Sequence, residues 1–303
     1  MENTAPPTRF DPKVLACLEG LDFKARYVME GFLSGLHESP FHGYSVEFSD
    51  YRNYQPGDDL RHLDWKLYGR TDRLCIKRYM QETNVRFYLV CDTSASMAYK
   101  GSRGWESKFG CARILSAALS WFLLKQNDAV GLIAMDAASG LPRLVRPSQR
   151  STQTGLLLRE MEQIAPGGNP SLAALLGHAL RLVHRRSVIL LFSDLLEPSA
   201  EIEQYLKQLR FHGHECIVFQ TLDPDESEFP FADSHVFEDL ETGSRHQVLP
   251  GSARDKYLQR FNAFMEDYRQ LFQRLEIPHC TVFNHQDPWP ALALFLSERR
   301  KLQ

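Results

Sequence analysis

A nearly unbroken apolar run from Val85 to Val90 leads directly into a loop of oxygen-bearing side chains, Asp92, Ser94 and Ser96. Such a run is typical of a strand that is covered on both faces of a parallel sheet. If the chain leaves the strand in extended form, the three alternate side chains project toward the same side. One carboxylate and two hydroxyls are hard oxygen donors that suit Mg²⁺ or Mn²⁺. A loop that only caps the next helix uses the same residue types, so these residues alone leave both interpretations open.

A second apolar run, Ser187–Phe192, also stops at an aspartate, Asp194. Strands alternate with helices over residues 84–300, which predicts an α/β fold with a doubly wound, mostly parallel sheet. Sites in such sheets lie outside the carboxyl ends of the strands. We therefore expect Asp92 and Asp194 to converge, which favours a metal site. The turn at Gly167-Gly168 and the helix that begins at Ser171 are expected to face the same crevice.

Composition excludes several classes of protein. The chain has 303 residues, of which 43% are hydrophobic and 24% charged, so it is globular rather than disordered. A formal net charge of -3 does not suggest a nucleic-acid or anionic-membrane binder. The six cysteines form no C-x-x-C pair, and the first residues lack the basic and apolar regions of a signal peptide. These features predict a cytoplasmic protein without direct membrane insertion.

The chain divides into three predicted parts. Residues 1–8 are expected to be a disordered lead-in. Residues 9–81 are expected to form an N-terminal module of helices and irregular or β structure, in which charges of both signs alternate with aromatic residues. An RNA-binding surface is disfavoured there because the acids would repel phosphate, so a salt-bridged structural module is the better interpretation. Residues 82–303 are expected to form the α/β domain, with a hairpin insertion near 234–250.

The periodicity of apolar residues predicts the elements of the α/β domain. The predicted helices are 105–126, 153–164, 171–184, 199–210, 253–276 and 290–299. The predicted strands, besides the two apolar runs, are 129–135, 141–146, 215–220 and 279–284. A shorter strand is expected at 74–79.

Asp92-Thr93-Ser94-Ala95-Ser96-Met97, a Gly-Gly loop before a helix and a later strand that ends in Ser193-Asp194 resemble the von Willebrand factor A domain. Its aspartate-serine-serine triplet forms a metal-ion-dependent adhesion site (MIDAS). The upstream segment resembles, more specifically, the bacterial domain-of-unknown-function family numbered fifty-eight. Its signature and expected interface residues are Tyr54, Pro56, Gly57, Asp58, Asp59, Arg61, Asp64, Trp65, Lys66 and Arg70.

The resemblance implies a partner and a ligand set. Members of this family are typically found beside MoxR-type AAA+ ATPases and other von Willebrand factor A proteins, with chaperone-like roles in the assembly or activation of complexes. It implies that Asp92, Ser94 and Ser96 hold Mg²⁺ or Mn²⁺ with Asp194, directly or through water. Where many such domains have a threonine after the glycine pair, this chain has Asn169 and Ser171. Either could supply the missing oxygen, and the ion could bind only with a partner.

The expected function is therefore that of a non-enzymatic, metal-dependent adaptor protein. Two alternatives stay open: a divalent-metal-dependent hydrolase or phosphoryl-transfer enzyme, and a structural interaction protein whose metal site is vestigial. The enzyme is disfavoured because the sequence contains no phosphate loop, no H-E-x-x-H and no G-x-S-x-G motif.

Overall fold

A computed structural model of the chain describes residues 11, 14–15, 18–38, 51–53, 68–69, 75–77, 85–168, 170–231, 235–248 and 250–302. The strands of these residues are β1 (Tyr51–Asn53), β2 (Cys75–Lys77), β3 (Arg86–Cys91), β4 (Ala129–Met135), β5 (Pro142–Ser148), β6 (Val188–Ser193), β7 (Glu215–Leu222), β8 (His235–Glu238), β9 (Arg245–Val248) and β10 (His279–Phe283). The α-helices are α1 (Leu21–Glu38), α2 (Lys108–Lys125), α3 (Gln153–Gln163), α4 (Leu172–Leu182), α5 (Ser199–Phe211), α6 (Pro224–Glu228), α7 (Pro250–Arg274) and α8 (Trp289–Leu302).

The central sheet has the strand order β10-β7-β6-β3-β4-β5. The first five of these strands are parallel and β5 is antiparallel to β4 at the edge. The order switches between β3 and β6, because successive connections after β3 lead to β4 on one side and to β6 on the other. The predicted doubly wound, mostly parallel fold class is confirmed. Its switch point lies where Asp92 and Asp194 end their strands.

Alternate side chains of the strands bury both faces of the sheet. One face, represented by Val90 and Leu191, packs against α4, α5 and α7 in a single apolar cluster. On the other face the ring of Phe87 meets Phe295 of α8 at a centroid distance of 6.1 Å, and Phe295 meets Phe122 of α2 at 6.3 Å. This two-sided burial explains why β3 and β6 have almost no polar residues.

Most element boundaries agree with the predicted ones to within about three residues. The helix predicted over 253–276 begins earlier, at Pro250, and the strand predicted over 215–220 continues to Leu222. The hairpin expected near 234–250 consists of β8 and β9. The sequence did not predict α6, which begins directly after the extra residues of β7.

The chain forms two compact units, residues 1–33 with 85–303, and residues 34–84. In the larger unit, the first part of α1 buries Val28 and Phe32, and Phe32 meets Trp289 at a ring-centroid distance of 6.0 Å. In the smaller unit, β1 and β2 pair antiparallel, with Arg52 opposite Ile76. The signature residues from Tyr54 to Lys66, and Arg70, lie outside the described residues, as does the lead-in 1–8. The predicted domain boundaries stay predictions.

Within the described part of the chain, no helix has both the length and the apolar character that a membrane span requires.

The β4–β5 pair contains a close approach of backbone at Gly131. The register shifts between Val130 and Leu132, and a Cβ built on Gly131 would lie 2.6 Å from the carbonyl oxygen of Val145. Because that neighbour is backbone, β5 would have to move.

We expect Gly131→Ala to lower the free energy of unfolding by roughly 1–3 kcal/mol, the usual cost of forcing extra atoms into a packed site. Gly155→Ala is the matched control, because nothing lies within 4 Å of its Cβ position in α3. That control should stabilise the protein by up to about 1 kcal/mol through helix propensity. Urea denaturation of both variants measures the difference, and equal stabilities would contradict the role assigned to Gly131.

Candidate functional site

The Asp92 carboxylate is fixed at the carboxyl end of β3. Its Oδ2 accepts a hydrogen bond from the Ser193 hydroxyl at 2.6 Å, and its Oδ1 accepts one from the Ser94 amide at 2.9 Å. The Asp92 amide donates to the Phe192 carbonyl at 2.9 Å, which extends the β3–β6 pairing by one residue. The two neighbouring strands thus hold this side chain, which is only 3% exposed.

The two serines follow in a tight turn rather than in an extended chain. Ser94 precedes a 3₁₀ turn at Ala95–Ala98, so the extended loop that the sequence suggested is wrong. The turn nevertheless brings the Ser94 and Ser96 hydroxyl oxygens to 3.1 Å from each other. Ser94 is buried and Ser96 is half-buried, so the pair forms a path from Asp92 toward the surface.

Asp194 follows β6 directly and forms an ion pair with Lys108, a residue that local sequence patterns did not indicate. Lys108, the first residue of α2, has no exposed surface. Its Nζ donates to Asp194 Oδ2 at 2.8 Å and to Glu226 Oε1 at 2.5 Å. Burial acts to lower the pKa of Lys108, but the charges of the two carboxylates raise it overall, so the ammonium stays charged.

Glu226 reaches the site from a third strand end. Asp223 follows β7 directly and caps α6, and a capping box links the Asp223 and Glu226 side chains to each other's backbone amides. Asp223 Oδ2 also accepts from the Gly101 amide and from Asn284 Nδ2, each at 2.7 Å. The sequence contained a clue to this part of the site, because Asp223 follows an apolar strand just as Asp92 and Asp194 do.

Burial and neighbouring charge alter the acidity of Asp92. Burial, together with the charge of Asp194, raises the pKa of Asp92 to about 7, although hydrogen bonds from Ser193 and Ser94 oppose this. Lys108 is paired with Asp194 and Glu226 and makes no hydrogen bond to Asp92 among the contacts of the described residues. The site therefore carries negative charge in excess of its one buried ammonium.

The glycine turn at Gly167-Gly168 is hydrogen-bonded to the Asp92 loop. The helix that follows it, α4, has an N-terminus that is already capped. The Gly167 amide donates to the Thr93 carbonyl at 3.0 Å, which brings the glycine turn beside the Asp92 loop. Ser171 is exposed and its hydroxyl accepts from the Ala174 amide at 3.1 Å as the N-cap of α4. Glu197 accepts from two further amides of that helix start. Asn169 lies outside the described residues.

The donors present fit a divalent ion only in part. Two hydroxyl oxygens 3.1 Å apart match adjacent corners of an octahedron with Mg–O distances of about 2.1 Å, and Asp92 lies beside them. Oδ2 of Asp194 is engaged by the Lys108 ammonium, which Glu226 shares. No group of three or more acidic, histidine or cysteine side chains in the described ranges is arranged to hold a metal. An ion here would be held by Asp92, Ser94 and Ser96, and the Mg²⁺ or Mn²⁺ prediction stays a prediction.

A doubly wound sheet with an aspartate-serine-serine loop at its switch point defines a von Willebrand factor A-like protein. The chain belongs to the family described as protein of unknown function DUF58, whose model matches residues 50–268. The predicted family is therefore confirmed. Uncharacterized proteins of Mycobacterium tuberculosis and Mycobacterium bovis are 26% identical over 296 residues, which cover 96% of this chain and 91% of each relative.

Similar solved structures include two from Bacteroides. BatB of Bacteroides thetaiotaomicron is 15% identical with a TM-score of 0.44, and the match covers 72% of this chain and 99% of that one. An aerotolerance-related membrane protein of Bacteroides fragilis is 16% identical with a TM-score of 0.45, covering 71% and 99%. The pilus adhesin SpaC of Lactobacillus rhamnosus GG is 12% identical with a TM-score of 0.47, covering 74% of this chain and 31% of that one.

Removal of the Lys108 ammonium should be strongly destabilising. Lys108→Met leaves Asp194 and Glu226 as uncompensated, largely buried carboxylates, and we expect a loss of roughly 3–5 kcal/mol in the free energy of unfolding. The triple variant that adds Asp194→Asn and Glu226→Gln removes the charges together and should recover most of the loss. Urea denaturation distinguishes these outcomes. A single variant as stable as the wild type would show that the ion pairs contribute little.

Proposed function

We propose that this protein is a non-enzymatic adaptor that binds a partner protein at the carboxyl-end edge of its sheet. The observation that carries the proposal is the convergence of three strand ends: Ser193 and Ser94 hold Asp92 in place, and Lys108 holds Asp194 together with Glu226 of the helix that follows β7. The edge continues outward through Ser96, which is half-buried, and Leu196, which is 40% exposed. Side chains this firmly positioned beside exposed apolar surface suit recognition.

The nucleophiles of the site argue against covalent catalysis. Cys91 is buried, and burial raises the pKa of its thiol to about 12, far from a reactive thiolate. Lys108 is fully buried and stays protonated, so its nitrogen has no free electron pair for attack. The alternative of a metal-dependent hydrolase has no observation that favours it.

The partner we propose is a MoxR-type AAA+ ATPase in the cytoplasm, acting in the assembly or activation of a complex. The resemblance of the sequence to the ATPase-associated family supports this choice, and the family membership is consistent with a protein-interaction role.

The finer part of the proposal concerns the divalent ion. Asp92, Ser94 and Ser96 would hold Mg²⁺ or Mn²⁺ weakly, since Lys108 engages Asp194 and the remaining ligands carry at most one charge. A bound ion would supply a Lewis-acidic position that a carboxylate of the partner could occupy. If the ion never binds, the edge acts through its own side chains, as in the alternative of a vestigial metal site.

The partner assignment is tested by biolayer interferometry with the purified MoxR-type ATPase of the same genome. We expect Ser96→Trp and Leu196→Ser each to weaken binding at least about tenfold, since a handful of central residues usually dominates an interface. Phe211→Ser is the matched control, because Phe211 is 89% exposed and lies at the other end of the sheet, beside the start of β7. Equal weakening by the control, or no binding by the wild type, would contradict the assignment.

Metal dependence is tested with the same assay in Mg²⁺ and in EDTA. The proposal expects tighter binding in Mg²⁺ and a loss of this difference in Asp92→Ala. Glu215→Ala serves as a control for removal of a carboxylate, because Glu215 begins β7 at the opposite end of the sheet, where it pairs with Arg186 at 3.0 Å. Identical binding in both buffers would contradict the proposed metal dependence but would not contradict the proposed adaptor function.

A further inference from the structure

A cleft of about 610 Å³ opens beside Ser96, between the strand ends and the β8–β9 hairpin. Pockets of roughly 300–1,000 Å³ are typical of ligand sites. The cleft is a second feature of the same edge, and it has a chemistry of its own.

The floor of the cleft is a cluster of aromatic rings centred on Phe229. Its ring stacks on Phe237 at a centroid distance of 5.5 Å, meets Phe231 edge-on at 5.2 Å and lies 4.7 Å from Tyr257. Phe229 ends α6 in the left-handed region, with φ of 46°, and is only 6% exposed. A bulky residue held in that conformation at a cleft is a feature of functional sites.

The rim of the cleft is acidic. Its lining contains no lysine or arginine among the described residues and five carboxylates: Asp225, Glu226, Glu238, Asp239 and Glu241. Three of them have cationic partners outside the lining, namely Arg103, Lys108 and Arg245. Asp239 accepts hydrogen bonds from the Glu241 amide at 2.9 Å and from the Thr242 hydroxyl at 2.7 Å. Glu241 has no ion pair within the described part of the chain.

Burial and the neighbouring carboxylates alter the acidity of two groups at the cleft, Glu241 and Tyr257. Burial raises the pKa of Glu241, and the charges of Asp194 and Asp239 raise it further. Burial also raises the pKa of Tyr257 to about 12, with the charge of Glu226 as the next cause. At both groups the negative charge of neighbouring carboxylates thus adds to the effect of burial.

Besides the carboxylates, three large hydrophobic side chains surround the opening of the cleft. Leu196, Val236 and Leu240 are 40%, 63% and 46% exposed, which is unusual for three large hydrophobic side chains around one opening. A free small cation would leave these three hydrophobic side chains exposed to water. A cationic side chain on a polypeptide brings neighbouring residues with it, and apolar ones among them would cover the three side chains.

We propose that this cleft binds an arginine or lysine side chain of the partner protein, flanked in the partner by apolar residues. The cation would lie over the half-buried ring of Phe237 and between the carboxylates of the rim, and cations bind favourably over such ring faces. This inference rests on the proposed function, since it names the chemistry of the segment that docks at the same edge.

The probe is a fluorescein-labelled peptide of five alternating leucine and arginine residues, and binding is followed by fluorescence anisotropy. We expect replacement of its arginines by glutamine to weaken binding about tenfold, and replacement by glutamate to abolish it. In the protein, Phe237→Leu keeps apolar volume but removes a ring, and Glu241→Gln removes one charge. Each should weaken the arginine peptide several-fold without affecting the glutamine peptide.

The matched control is Glu215→Gln, which removes a carboxylate at the amino end of β7. Circular dichroism and thermal melting establish that each variant is folded. Equal binding of the arginine and glutamine peptides, or equal effects of Glu215→Gln and Glu241→Gln, would overturn the proposal. So would competition by free arginine amide as strong as that by the unlabelled peptide, because the cleft would then be a small-molecule site.

The same variants separate this inference from the proposed function. If Ser96→Trp weakens ATPase binding but Phe237→Leu and Glu241→Gln do not, the edge is an interface, and the proposal that the cleft binds a cationic side chain is wrong. If the arginine peptide binds as expected but the ATPase does not bind at all, the cleft chemistry stands and the choice of partner is wrong.

Discussion

The buried ammonium of Lys108 is the interaction on which the rest of the site depends. It connects the first turn of α2 with the end of β6, through Asp194, and with α6, through Glu226. Removing one such charge from water costs several kcal/mol, which only close, well-oriented partners offset. Because Lys108 has two such partners, the three elements are held in one arrangement. The same contact engages Oδ2 of Asp194.

The rigidity of this arrangement extends to the cleft. Asp223 anchors α6 through the Gly101 amide and Asn284, so the end of that helix and the ring of Phe229 are held against the sheet. Leu195, directly after Asp194, has a φ of 58° and Phe229 a φ of 46°. Such conformations cost on the order of 1–3 kcal/mol each and persist only where the surroundings impose them. Two such residues flank the same edge, which agrees with a surface shaped for binding.

The sequence predicted those parts of the structure that depend on local pattern. Apolar runs located β3 and β6, and the rule for parallel sheets placed Asp92 and Asp194 together at the switch point. The sequence did not reveal the role of Lys108, because one lysine at the start of an apolar helix resembles an ordinary solvated residue until its long-range partners are known. Glu226 was missed because β7 was predicted to end at 220, which separated Asp223 from its strand end. The tight turn after Ser94 and the aromatic floor of the cleft arise from tertiary packing, which periodicity does not encode.

If a partner protein covers the carboxyl-end edge and its cleft, the backbone amides there become protected when the complex forms. Amide hydrogen exchange of the whole chain, with and without the purified AAA+ ATPase, measures this protection. We expect the partner to slow exchange in the turn 95–99, in 224–229 and in the hairpin 235–248, while the segment 211–215 at the other end of the sheet is unchanged. Slowed exchange at 211–215 with no change in the other three segments would contradict this expectation.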